Sequence, residues 1–498
     1  LAGCAQLNQG LNKVTGNVAV NLLPLPTDPV KVAMVSRVLA RAAFGWRPGD
    51  IAEVAAKSPQ GWIEEQLKPS KDEAQAVNWR IDGLDTMQYF TEGPEMLYSL
   101  SDDQLSREMQ QVALVRSIYG QWQLREVMAD FWTNHFNIFA LKGDERVLLP
   151  VDTQRVIREH SMGTFRDILK ASATSPAMLI YLDNQANKKG VVNENYAREL
   201  LELHSLGVHS GYSIQDIREV AKCFTGWGAT DGYKPPKMGP FPIMSRGELI
   251  FKPELHEDGP KYIKFLDLHV PAGGGKKDID LVIDSLSVHP AAAKFIATKL
   301  CRRFLGTESP AAVEAASSAF LQSKGSIPAT LRPILLDYMA TGKDCQPIVR
   351  KPLDYLAAAT RALAVDTNGT EPLQQRLSSM GQPLFHWPMP DGFPEKASSW
   401  TGSLLARWNF AVDLASGRIG GSRIPWNELF PNANETPAQR ADRLIELILA
   451  RPAADPEIAN VRAAAKARLE SNRDPKKPEL ALASATALIL ASPQFQWK

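Results

Sequence analysis

The strongest constraint on this chain is a helical repeat of apolar residues that recurs along most of its length. It carries its heaviest load of charge between Val192 and Gly207. Asn193 is a natural N-cap there. Glu194 and Asn195 fill a first turn where negative charge suits the helix dipole, and Gly207 suits the position just past the end. At about 100° per residue, Glu194, Arg198, Glu202, Asn195 and Glu199 share one arc, and Tyr196, Ala197, Leu200 and Leu203 fill the opposite one. Arg198 and Glu202 stand at ion-pair spacing. His204 falls on the apolar arc, away from the two glutamates, which reads as a buried, hydrogen-bonded histidine. The charged arc has two readings. It is a solvated face, or it lines a cleft in which two carboxylates about one turn apart bind a metal or divide acid and base roles.

Elsewhere the periodicity predicts helices from Val30, with Val32, Val35, Val38 and Leu39 as the stripe, and almost continuously from Asp103 to Phe139. Residues 70–92 read as polar loop. In Phe131-Trp132-Thr133-Asn134-His135-Phe136, His135 shares a face with Phe131 and Ile138, while Asp130, Asn134 and Asn137 line another. A lone histidine among aromatics is read as packed or as a ligand. Arg155, Arg158, Glu159 and His160 follow on a helix from about Asp152 and read as a solvated face. Further helices are expected over 214–224 and from Asp278 to about Leu363, where His289 before Pro290 reads as a cap. Between Trp227 and Lys276 there are eight glycines and seven prolines. Glu248–Lys252 and Tyr262–Phe265 there suggest a hairpin enclosing His256, Glu257 and Lys261, either a capped turn or a loop-borne site. Gly273-Gly274-Gly275-Lys276-Lys277 lacks both the earlier glycine and the Ser/Thr of a phosphate loop. The aromatic, proline-stiffened loop from Gly381 to Pro394 reads first as packing.

The run Glu194-Asn195-Tyr196-Ala197-Arg198-Glu199-Leu200-Leu201-Glu202-Leu203-His204-Ser205-Leu206-Gly207 resembles the central motif of the bacterial domain of unknown function 1800 family. Tyr212–Ile217 and Phe224-Thr225-Gly226-Trp227 continue the match. Arg37–Gly45 resembles the family's opening, and Ser492-Pro493-Gln494-Phe495-Gln496 its ending. His256-Glu257-Asp258-Gly259-Pro260-Lys261 resembles its histidine-acid-x-glycine-x-lysine element, with Glu257 where Asp is usual. Thr133 stands where members often carry a histidine, which weakens any metal site needing two histidines from that helix. The family has no assigned activity. Its genes often lie beside those of another unknown-function family, numbered 1501, which implies a protein partner.

Basic and acidic residues balance, 56 against 55, with no basic block of the nucleic-acid type. No apolar run approaches the ~18 residues of a membrane span. Leu1-Ala2-Gly3-Cys4 matches a bacterial lipobox, so Cys4 is expected to carry a lipid, with residues 1–30 as remnant and tether. The expected location is the periplasmic or cell-surface face of the envelope, on the outer membrane. Cys223, Cys301 and Cys345 form no disulfide framework, and the first two sit in apolar helical patterns. No H-E-x-x-H, GxSxG, dinucleotide fingerprint or cluster-binding cysteine set occurs.

The expected architecture is mostly α: one large multi-helix domain over 31–498 with a small irregular β-containing insertion at about 228–277. Two functions follow. One is a hydrolase-type enzyme on an extracytoplasmic polymer, with Glu199, Glu202, His135 and His256 as acid–base groups and Asn134, Arg198 and Lys261 binding substrate. In that scheme Glu199 and His204 are candidate ligands for a divalent metal. The other is a non-catalytic assembly or binding lipoprotein, in which the same residues form a structural network.

Overall fold

Asp28 caps the helix Pro29–Ala42 through its side chain, and Pro29 supplies the preset φ of the first turn. Val32, Val35, Val38 and Leu39 face inward as the stripe requires. A computed structural model describes residues 18–92, 94–230, 247–471 and 478–498, and the proposed lipidation site Cys4 lies outside these. The described chain is mostly α-helical, and its β-structure is limited to three two-stranded antiparallel ribbons.

The expected helix from Asp103 to Phe139 is two helices, Asp102–Tyr119 and Gln123–His135. They part at Gly120, where an added Cβ would lie 2.6 Å from the Arg116 carbonyl oxygen and 3.0 Å from Glu126. Residues 75–92 are not loop. They form the helices Gln75–Ile81 and Asp85–Glu92. Their apolar signal is short, and a long-range contact supplies what it lacks: Arg80 donates to the carbonyl of Thr367 and to Asp366. Tertiary packing here outweighs a weak local pattern.

Most buried apolar side chains form one continuous cluster that includes Trp132, Phe165, Phe224, Phe304 and Phe320. Cys223 and Cys301 are buried within it as expected. Three helices widen locally into π-turns at Thr153–Arg158, Leu200–Ser205 and Ile334–Met339. Two of these follow a helical proline, Pro150 and Pro333, whose missing N–H disturbs the regular ladder. In the third, the Leu206 N–H bonds the Leu201 carbonyl at 2.9 Å, so the turn spans five residues.

The expected hairpin is replaced by two separate ribbons. Leu249–Phe251 pairs with Trp227–Ala229, and Lys261–Ile263 pairs with Leu268–Val270. The first run pairs upstream and the second with the next run downstream, and His256 lies buried between the two ribbons. The family-like ending also has a structural task. Phe495 is buried, and the Gln496 Oε1 accepts from the fully buried Arg407 at 3.1 Å.

Glu145 opens the helix Glu145–Asp152 with no exposed surface and no hydrogen bond to either carboxylate oxygen. Burial, then the nearby Asp152, pushes its pKa up to about 9. The folded state therefore holds a proton that an unfolded glutamate, with a pKa near ~4.3, releases. Stability should fall as pH rises between those two values, because the native state binds more protons. Urea unfolding of Glu145→Gln at pH 5 and pH 8 should show a shallower pH slope and a gain over wild type at the higher pH. An unchanged slope would assign the proton elsewhere.

Candidate functional site

Gln123–His135 is the helix around which the polar interior is arranged. One of its faces carries Glu126, Asp130 and Asn134, each about one turn from the next. These residues line a cavity of about 120 Å³. Its other walls come from the 102–119 helix, the π-turn at 153–158 and the 381–395 loop, and they are largely apolar, with Met109, Val112, Ile157, Leu384 and Phe393.

At one end lies a buried charge network. Arg158 donates to Glu126 at 2.6 Å and also to Glu73. Arg125 stands 3.5 Å from both glutamates, and Arg116 3.5 Å from Glu73. Three guanidiniums thus share two carboxylates. Burial brings Arg116 down to about 10, helped by the neighbouring Arg158. Arg158, read from the sequence as part of a solvated face, is instead at the centre of this network. Arg155 and Glu159 are the exposed members of that run.

Asp130 is half-buried in the cavity wall, and among the described residues no hydrogen bond or ion pair reaches its carboxylate. Burial raises its pKa above the usual aspartate range, against the opposing pull of Lys351 and Arg303. Lys351 pairs with Glu395 at 2.8 Å, and Arg303 with Asp354 at 3.3 Å. Sequence reasoning placed Asp130 beside Asn134 but gave it no role, since an isolated aspartate on a helix has no distinguishing local signal.

The residues expected to form a site divide into three groups. Asn134 clamps the aromatic loop: its amide donates to the Phe393 carbonyl at 3.1 Å and accepts the Phe393 N–H at 2.7 Å. Gly392 (φ +75°) runs so close that a Cβ there would lie 2.2 Å from the Asn134 carbonyl oxygen. Asn137 adds bonds to the carbonyls of Trp387 and Met389. His135 is buried, with Nε2 donating to the His204 carbonyl at 3.0 Å and Nδ1 accepting from Lys299 at 2.8 Å. Burial and the adjacent Lys299 charge hold its pKa well below the usual histidine range. His204 is buried too, but neither ring nitrogen is hydrogen-bonded, and burial brings it to about 3. It packs against the ring of Phe136.

The central helix runs as Asn195–Glu199 and then the π-turn; its N-cap is Glu194 rather than the expected Asn193, whose Oδ1 accepts the Asn195 N–H at 2.9 Å from the turn before it. Arg198 sits between Glu194 and Glu202, 3.6 Å from each, in partly exposed pairs worth ~0.5 kcal/mol or less. Glu199 is half-buried and makes no ion pair among the described residues. Burial, then the charges of Glu202 and Asp391, raises its pKa.

His256 and Lys261 belong to a third, closed cluster. Lys261 Nζ lies 2.5 Å and His256 Nε2 3.2 Å from the same oxygen of Asp278, and His256 Nδ1 donates to the Thr225 carbonyl at 2.9 Å. All three side chains are at most about 1% exposed. The triglycine run covers this cluster, since a Cβ on Gly274 would fall 2.0 Å from Asp278 Oδ1. Glu257 turns outward and accepts the Gly190 N–H at 2.7 Å. Among the described residues no three His, Cys, Asp or Glu side chains are grouped to hold a metal ion, so Glu199 and His204 are not part of a ready-made cage.

Fold and site together define an irregular helical protein whose described residues include a carboxyl-lined cavity and several buried ion networks. The chain belongs to a family described as protein of unknown function (DUF1800), whose profile matches residues 37–497. No curated protein and no solved structure matches it.

Proposed function

We propose that the protein is a hydrolase-type enzyme of the cell envelope, anchored by a lipid on Cys4, whose acid–base group is Asp130. The carrying observation is a carboxyl in a cavity wall with no hydrogen-bond or ion-pair partner among the described residues. Burial raises the Asp130 pKa and so favours its acid form, and Lys351 and Arg303 stabilise the carboxylate once the proton has gone to a leaving group. Arg116 and Arg158, which line the cavity beside Glu126, suit an anionic group on the substrate. Water would be the attacking group, since no activated serine or cysteine lines the cavity among the described residues.

The second reading is a binding or assembly lipoprotein with a partner from the 1501 family. It draws support from Asn134, His135, His256 and Lys261, whose polar atoms are taken up by internal bonds.

Turnover of chromogenic ester, glycoside and phosphate panels by wild type and Asp130→Asn separates the two. The enzyme reading expects turnover that Asp130→Asn lowers by ~100-fold or more, with the melting temperature kept. The wild-type rate should fall as pH rises through the raised Asp130 pKa, because the acid form is the active one. Equal rates in the two proteins would remove Asp130 from the mechanism. Turnover of nothing on the panels, with a 1501-family protein retained on the immobilised chain, would favour the assembly reading.

A further inference from the structure

The helix Glu145–Asp152 and the π-turn that continues it present different faces to two cavities. Pro150, Thr153, Gln154 and Ile157 line the cavity of Asp130. Leu148, Val151, Asp152 and Val156 line a second pocket, of about 430 Å³. Ala171 and Pro176 extend its largely apolar wall, and the exposed Arg155, Glu248 and Leu249 stand at its mouth.

Asp152 is the exception in that wall. It is only 5% exposed, and Ser175 Oγ donates to its Oδ1 at 2.5 Å. No other hydrogen bond or ion pair reaches the carboxylate among the described residues. The two Glu145 oxygens are unpaired and sealed from solvent, whereas the unpaired Asp152 oxygen keeps accessible surface and lines the pocket. Burial pushes the Asp152 pKa up to about 6, against the opposing bond from Ser175, so the group is charged at neutral pH. Arg155 does not pair with it. That guanidinium lies over the Phe90 ring, 5.2 Å from its centre. Arg155 and Glu248 balance each other at the mouth, which leaves Asp152 as the net charge of the pocket. An anion held in apolar surroundings by one neutral donor leaves a cation's place open.

We infer that this pocket binds a small primary amine with an apolar body, the ammonium on Asp152 and the body against Leu148, Val151 and Val156. An ammonium brings both the opposite charge and the hydrogen-bond donors that the free oxygen lacks. The volume falls within the ~300–1,000 Å³ common for ligand pockets. An anionic ligand would be repelled by Asp152, and a neutral one would fill the space without answering the charge. The Asp130 reading is not needed for this site, because the two cavities share no residue.

The test is calorimetric titration of the full chain at pH 7.5 with hexylamine, hexanol and hexanoate, three ligands with the same tail. Hexylamine should bind ~10-fold or more tighter than hexanol, as a charge-assisted contact requires, and hexanoate should bind least. Asp152→Asn should bring hexylamine down to the level of hexanol and leave hexanol itself almost unchanged. The asparagine keeps an oxygen for the Ser175 hydroxyl and removes a buried charge, so this variant should fold. Ala171→Leu should block both ligands, since the larger side chain extends from a partly buried position into the pocket. Melting curves check both variants, and if one does not fold the other decides. No binding of hexylamine, or no preference for it over hexanol, overturns the inference. Wild-type affinity for hexylamine in Asp152→Asn or in Ala171→Leu also overturns it, since the amine would then sit elsewhere.

Discussion

Arg158→Ala is expected to cost about 3–5 kcal/mol of unfolding free energy, the range for removing one partner of a buried ion network. Glu126 is nearly inaccessible, Glu73 is largely covered, and Arg158 is the cation bonded to both. Without it, the two carboxylates keep only the longer 3.5 Å contacts from Arg116 and Arg125. Glu126 shows how much the pairing matters. Burial by itself would raise its pKa, yet Arg158 and the flanking arginines bring it below the ordinary value. Glu126 therefore contributes stability that is present above the unfolded pKa of ~4.3 and is lost as pH falls through its lower folded value. Urea unfolding at pH 7 measures the loss directly. The double variant Arg158→Met/Glu126→Leu should recover part of it, since removing both partners leaves fewer unpaired charges. If the single variant loses less than about 1 kcal/mol, the network is hydrated like a surface pair, and its role as a fixed cationic wall of the cavity fails with it.

Lys261→Met should be comparably severe, at about 3–5 kcal/mol, because Asp278 would stay fully buried with only His256 beside it. Burial alone would raise the Asp278 pKa, but the bonds from His256 and Lys261 outweigh it and hold the pKa below the usual aspartate value. By linkage, that stabilisation is complete above the unfolded pKa of ~3.9 and disappears as pH falls through the depressed folded value. Wild type should therefore lose stability on acidification in a window that Lys261→Met lacks. Chemical unfolding between pH 2.5 and pH 7 tests both statements. Should Lys261→Met abolish turnover in a protein whose stability is unchanged, the cluster would be chemical rather than structural, and the site described above would have to be redrawn.

Much of the helical skeleton was legible because its signals are local. The 29–42 stripe, the His289 side chain accepting the Ala291 N–H, and Gly207 at φ +90° each depend on residues within a turn or two. The 75–92 helices were missed because their short apolar pattern is completed by Arg80 reaching the 366–367 segment. The expected pairing of 248–252 with 262–265 does not form, because the first run pairs with Trp227–Ala229 upstream and the second with Leu268–Val270 just after it. His204 was placed on the buried arc correctly, but the absence of a hydrogen bond to its ring could not be read from spacing.

By itself, the sequence determined an α-helical chain of balanced charge, the family it belongs to, and the caps of individual helices such as those at His289 and Gly207. Periodicity and capping act over a few residues, so they are written in order along the chain. Only the tertiary structure decided which charges are partners. Arg158 bonds a glutamate 85 residues earlier, Lys261 and His256 converge on Asp278, and Asp130 lines a cavity without an ion-pair partner among the described residues. Burial turns ordinary surface-type residues into coupled or unpaired charges. It arises from contacts between distant segments, which leave no mark on the local pattern of the residues involved.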